Sequence, residues 1–165
     1  MNRSRSRKVR QLPKLALAVA SGCHLALAAR VHIGNGSDQP DFDPLLYHSW
    51  RRVAGIKTVA ADAGYDSEKN HRIARLDMGV RSIIPPKIGR PTEKQPAARY
   101  RRLMSQRFAR KADRRVYGQR AQSETVNSMM KRNFGDALRS VLPKRRKQEM
   151  LLRTLVHDLM LWCAK

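Results

Sequence analysis

The apolar positions change period several times along the chain, and the changes divide it into elements. KLALAVA (Lys14–Ala20) and LALAARVHI (Leu25–Ile33) are short apolar runs separated by the turn sequence SGCH, which predicts an antiparallel hairpin. GNGSDQPD (Gly34–Asp41) gathers turn residues and predicts a loop. Phe42, Leu45, Leu46, Ser49 and Trp50 recur at helical spacing, so a helix is expected from Phe42 to about Val53. Thr58–Ala61 reads as a short buried strand that ends on Asp62. Ser67 suits the N-cap of a helix running to Met78, and Gly79 suits its stop. Val80–Ile84 is a further strand, halted by Pro85-Pro86.

Residues 87–115 carry few large apolar side chains and many arginines, which predicts an exposed basic insertion or loop. Val116–Phe134 regains helical spacing, Gly135 interrupts it, and SVLPKRRK (Ser140–Lys147) reads as a second basic loop. EMLLRTLVHDLMLW (Glu149–Trp162) is an apolar helix expected to pack into the core, with Trp50 and Trp162 buried and His157-Asp158 structural. Strand, strand, helix, strand, helix, strand, loop, helix, helix is the order of an α/β protein, a mixed sheet flanked by helices. The expected organisation is a basic N-terminal arm over residues 1–13 and one domain over residues 14–165.

Charge changes the picture more than size does. Lys and Arg number 35 against 13 Asp and Glu among 165 residues, a formal charge of +22. A field of that sign implies a polyanionic partner, and nucleic acid is the first expectation, because neutralising phosphates releases condensed counterions. A ribosomal protein fits the charge equally well. A membrane surface fits poorly, since no long basic segment carries a Trp/Phe-rich apolar face, and no apolar run is long enough to span a bilayer. Cys23 and Cys163 lie far apart, without zinc spacing, and are expected as reduced, buried thiols.

Candidate chemistry falls in two stretches. Asp62 stands at the tip of a strand, before Gly64, Tyr65 and Asp66 turn the chain; Asp66 is the neighbouring alternative, better suited to a turn or cap. In YGQRAQSETVNSMMK, Tyr117, Arg120, Glu124 and Lys131 occupy offsets 0, 3, 7 and 14. On one continuous helix these project within roughly 60° of each other. A solvated face with i, i+4 salt bridges explains that spacing. So does a phosphodiester-cleaving site, because magnesium is a hard ion held by one or two carboxylates together with substrate phosphate, and two such ions can clamp the attacking and leaving oxygens. Arg120 and Lys131 would then face DNA phosphates.

ADAGYDSEKNHRIAR…GVRSIIPP together with YGQRAQSETVNSMMKR resembles the DDE transposases of bacterial and archaeal insertion sequences, the IS-four/IS-five group. The second stretch keeps every spacing of that family's Tyr-Arg-Glu-Lys signature, and the likeness runs from about Lys14 to Trp162. The resemblance implies an RNase H-like fold, a magnesium (or manganese) cofactor, and cut-and-paste chemistry on insertion-sequence ends and target DNA. It makes Asp62 the second acid of the metal-binding triad and Glu124 the third, with Tyr117, Arg120, Lys131, Arg72 and Arg107 on the DNA. The family's first Asp lies on the strand before Lys14–Ala20, whereas MNRSRSRKVRQLP holds no acid; Asp38, Asp41 and Asp43 are expected as caps or solvated turn residues. The expectation is therefore the C-terminal part of a catalytic domain, lacking its first strand and catalytically impaired, or a noncatalytic DNA-binding remnant that inhibits a full-length transposase. A cytoplasmic, nucleoid-associated location and a homodimer, or association with full-length enzyme, complete what the resemblance implies.

Overall fold

The computed structural model describes residues 13–34, 36–87, 96–108 and 110–164. Most of the expected arm lies outside the described residues, as do residues 88–95 of the expected basic loop. β1 (Pro13–Val19) and β2 (Ala26–Ile33) form the hairpin, antiparallel in the register Pro13↔Ile33 to Ala18↔Ala28, with a bulge before Val19↔Ala26. The turn needs left-handed backbone, supplied by Gly22 at φ 91° and by His24 at φ 58°. Ala16 and Ala28 are small enough to let α1 (Phe42–Arg52) settle on one face of the hairpin through Leu45.

β3 (Thr58–Ala60) and β4 (Arg81–Ile83) pair in parallel, and the chain crosses between them through α2 (Glu68–Arg72) and a wide π turn over Ile73–Asp77. Ser67 caps α2 as expected: its hydroxyl accepts the Asn70 N–H at 3.1 Å. Gly79, at φ 65°, follows the π turn and directs the chain into β4. Phe42, Leu46, Ala74, Val80 and Ile84 form the larger core, joined by Ile56, Val59, Ala61, Tyr65 and Met78. The fold is thus mixed α/β, but among the described residues the strands make two separate two-stranded sheets in place of the one expected.

The C-terminal half departs further from the sequence pattern. Much of the expected basic loop is helical, as α3 (Arg99–Arg107) and α4 (Lys111–Gly118). The expected helix over Val116–Phe134 breaks at Gln119-Arg120, so that α5 runs over Ala121–Phe134. α6 (Pro143–Cys163) starts inside the second expected loop, with Pro143 at a position where a missing N–H costs nothing. α6 also turns out its apolar stripe: Thr154 and His157 are its buried residues, while Leu152, Leu155, Leu159 and Trp162 are exposed. The reason is polar anchoring. Asp158 accepts the Ala26 N–H at 2.9 Å, and His157 Nε2 faces the His24 carbonyl at 3.3 Å. That edge binds the hairpin, which makes the His157-Asp158 pair structural. Trp50 (48% exposed) and Trp162 (73%) are surface residues, not core, and Cys163 is exposed.

Candidate active site

Asp62 closes β3 in extended conformation (φ −67°, ψ 158°) and leads into the turn Ala63–Tyr65. The break before α5 does the complementary work. It lets Tyr117 at the end of α4, Arg120 in the turn, and Glu124 in the first turn of α5 converge on that strand tip. Arg120 Nη1 lies 3.0 Å from Asp62 Oδ1 and 2.6 Å from Glu124 Oε1, so one guanidinium joins the two carboxylates. The Tyr117 hydroxyl donates to Asp62 Oδ1 at 3.4 Å, and the Arg120 guanidinium lies 5.4 Å from the Tyr117 ring centre. Phe108 meets that ring edge-on at 5.0 Å and fixes its position.

The electrostatics follow from these contacts. Burial raises the Tyr117 hydroxyl above its ordinary value; Asp62 adds to this and Arg120 partly offsets it. Burial acts to lower the Arg120 pKa, but the Glu124 hydrogen bond and the Asp62 charge outweigh it and raise the value. Burial, with the charges of Asp38, Asp41 and Asp62, pushes the Tyr65 hydroxyl up to about 12. Asp62 and Glu124 keep 55% and 64% of their side-chain surface exposed, so a multivalent cation or a phosphate can reach them.

Lys131 does not join the cluster. It sits in the last turn of α5, 69% exposed and 4.0 Å from Asp136, because the break before α5 removes the continuous helix that would have aligned it with Tyr117. Arg72 is exposed at the end of α2; Arg107 ends α3, half-buried, and its charge helps burial lower the Arg75 pKa.

Asp66 caps the Ala63–Tyr65 turn as expected, its N–H donating to the Ala63 carbonyl at 3.1 Å, but it is not a solvated alternative to Asp62. It is buried and accepts Arg101 Nε (3.1 Å), Arg101 Nη2 (2.9 Å) and the Lys87 N–H (3.0 Å) on one oxygen, while His71 Nε2 stands 3.6 Å from the other. Burial alone would raise its pKa; His71, Arg101 and the Lys87 N–H overrule this and hold it at about 2. Behind it, His71 Nδ1 meets Ser82 Oγ at 2.8 Å, and Arg75 donates to that hydroxyl at 2.9 Å and to the Ser82 carbonyl at 2.7 Å. This chain of groups ties α3 and β4 to the turn that carries Asp62. No spacing signal marks it in the sequence; burial alone distinguishes Asp66 from Asp62. It also turns Arg101 inward, away from any phosphate.

His32, Asp38 and Asp41 bring ligand atoms within 4.8 Å of one another. Asp38 pairs with Lys14, and Asp41 is buried with Arg30 Nε at 3.0 Å and His32 Nδ1 at 3.1 Å. Two basic side chains thus already neutralise these acids, which fasten the hairpin to the turn before α1. Both stand at the N-cap positions expected of such residues, but Asp41 is a buried ion-pair partner, not a solvated one, while Asp38 stays partly exposed. Asp43 stays exposed in the first turn of α1.

A family model for a transposase DDE domain matches residues 2–159. No curated protein and no solved structure matches the chain. Among the described residues, no helix is long and apolar enough to cross a membrane.

Proposed function

The chain belongs to the transposase DDE domain family, and on that premise we propose that it performs the metal-dependent DNA chemistry of insertion-sequence transposition, with Asp62 and Glu124 as the acidic metal ligands. One observation carries this reading: two carboxylates from distant parts of the chain share the guanidinium of Arg120 on an exposed surface of a +22 protein.

The donor set suits magnesium or manganese. Both ligands offer hard carboxylate oxygen, and both are open to water, which magnesium prefers to keep in its shell. Arg120 occupies one oxygen of each acid and its charge opposes an incoming cation, so metal loading favours its moving outward. There it becomes a phosphate ligand, which couples metal entry to DNA entry. A bound divalent ion would stabilise charge on the phosphodiester oxygens. Tyr117 orients Asp62 through its hydroxyl, while Lys131, Arg72 and Arg107 contribute backbone-phosphate contacts that hold DNA without reading its sequence.

The finer assignment follows the sequence resemblance: an IS-four/IS-five transposase with an RNase H-like fold. Insertion-sequence ends and target DNA are the substrates, in a cytoplasmic, nucleoid-associated setting. The exposed stripe of Leu152, Leu155 and Leu159 supports association with a second copy or with a full-length transposase.

Supercoiled plasmid nicking tests the reading. Nicking should need magnesium or manganese and should vanish in Glu124→Gln. Metal-independent nicking, or nicking that survives in Glu124→Gln, would remove Glu124 from the site.

A further inference from the structure

The loop between α5 and α6 is fastened from α6. Arg153 donates to the Gly135 carbonyl at 2.7 Å and to the Ala137 carbonyl at 2.7 Å. Glu149, one turn earlier, accepts the Arg139 N–H at 3.0 Å and the Ser140 N–H at 2.9 Å. Arg146 donates to the Ser140 carbonyl at 2.9 Å, and the Leu142 carbonyl accepts the Arg146 N–H at 2.9 Å as α6 begins. The backbone is thus held on both sides of Val141 and Leu142, yet these two side chains are 80% and 64% exposed. Single exposed apolar residues are ordinary on a protein surface. Two in succession on a fastened loop are presented, not left over from slack.

Their surroundings are cationic. Arg139, Lys144, Arg145 and Lys147 are exposed, and residues 139–148 include no acid. The loop also continues the face that carries Glu124. Glu124, Ser128 and Lys131 are exposed at spacings of four and three residues, which puts them on one side of α5. Lys131 in turn lies 4.0 Å from Asp136, at the start of the loop. From Glu124 to the end of α5 is roughly 15 Å, or between four and five base pairs of a duplex at about 3.4 Å each.

We propose that Leu142, with Val141 beside it, is a wedge that enters a base step of duplex DNA lying along α5, while Arg139, Lys144, Arg145 and Lys147 take the phosphates that flank the step. The inference rests on the DNA reading above and adds to it a place where the duplex is kinked, roughly five base pairs or more from the phosphate at the acids. Partly unstacking a step costs a few kcal/mol, and the phosphate contacts that the kink brings within reach offset it. An unbranched run of cations without an apolar tip would hold the backbone only; the apolar pair is what a base step accommodates and a phosphate does not. A lipid surface suits the tip less well. A single myristoyl chain binds membranes only marginally, and Val141 and Leu142 together offer less apolar surface than that.

Leu142 occupies the N-cap position of α6, where serine is the better residue, so Leu142→Ser removes the wedge and keeps the helix. The probe is a short duplex whose single pyrimidine–purine step, TA, carries 2-aminopurine in place of the adenine, because such steps kink most easily. Fluorescence is read at saturating protein without divalent metal, and anisotropy gives the affinity at several salt concentrations. The expected result is a rise in fluorescence on binding the parent chain, no rise with Leu142→Ser, and a rise restored in Leu142→Met. All three should share one slope of log affinity against log salt, since no cation is removed. An equal rise with Leu142→Ser, or no rise with the parent on a duplex that it binds, would overturn the wedge and leave the DNA reading standing. Failure of the parent to bind the duplex even at low salt would overturn both. Binding to phosphatidylserine vesicles that is lost in Leu142→Ser, with the same duplex fluorescence for parent and variant, would overturn it and give the tip to a lipid surface.

Discussion

Replacing Arg120 by Gln should move two affinities in opposite directions. In the structure its guanidinium holds Asp62 at 3.0 Å and Glu124 at 2.6 Å, which keeps two carboxylates together in the absence of metal. Both acids are more than half exposed, so each pair contributes no more than about 1 kcal/mol, and the variant, which loses both, should stay folded with a melting temperature within about 8 °C of the parent. Metal binding responds differently. A unit positive charge about 5 Å from a dication repels it by roughly 1–2 kcal/mol in a water-like medium. Removing that charge should tighten manganese binding by about tenfold. DNA binding should weaken, with the slope of log affinity against log salt falling by about 1 as one phosphate contact is lost. Calorimetric titration with manganese gives the first quantity, and fluorescence anisotropy on a duplex at several salt concentrations gives the second. Manganese affinity that is unchanged or weaker in Arg120→Gln, with Glu124→Gln abolishing binding, would refute the competition between guanidinium and metal.

Other outcomes follow from the same geometry. Asp66→Ala leaves a half-buried Arg101 and the Lys87 N–H unpaired and should cost about 2–3 kcal/mol in urea unfolding, whereas Asp62→Ala should cost less than about 1 kcal/mol; equal costs would contradict the division of roles. Asp66 is held at about 2, below its unfolded value. Its contribution is therefore complete above about pH 4 and lost as pH falls toward 2, worth on the order of 2 kcal/mol. Acid unfolding of Asp66→Asn should lack that limb, and an identical acid profile would count against it. Leu155→Glu with Leu159→Glu should leave stability within about 0.5 kcal/mol, since both side chains are already exposed, but should abolish any dimer seen by sedimentation; a dimer that persists would place the association elsewhere. Arg72→Ala and Arg107→Ala should each weaken binding about equally for unrelated duplexes, and a loss confined to one sequence would indicate base contacts.

Much of the N-terminal half was legible because its elements are specified locally. The hairpin is announced by two apolar runs around SGCH, α1 by its helical period, and α2 by the Ser67 cap. The C-terminal half was less legible because two of its helices, α3 and α4, carry few apolar residues. Arginine-rich α3 and α4 resemble a loop by composition, and they hold through ion pairs such as Arg101–Asp66 and Arg81–Asp113, which no spacing rule reveals. The four-residue signature was legible as a pattern but not as a shape. Treated as one helix it aligns Lys131 with Tyr117; the break at Gln119-Arg120 separates them and brings Arg120 onto Asp62. The apolar period of α6 identified a stripe, but periodicity does not say what covers it. The split between the two sheets has no local signal at all, since strand pairing depends on long-range contacts.

The central claim is that Asp62 and Glu124 form one metal site. Paramagnetic broadening by manganese in amide-resolved NMR spectra of the chain tests it most directly. The account predicts loss of signal around Asp62–Tyr65 and Arg120–Glu124 at the same manganese concentration, with both sets restored in Glu124→Gln. Broadening centred on His32, Asp38 and Asp41, or broadening near Asp62 that persists in Glu124→Gln, would contradict it.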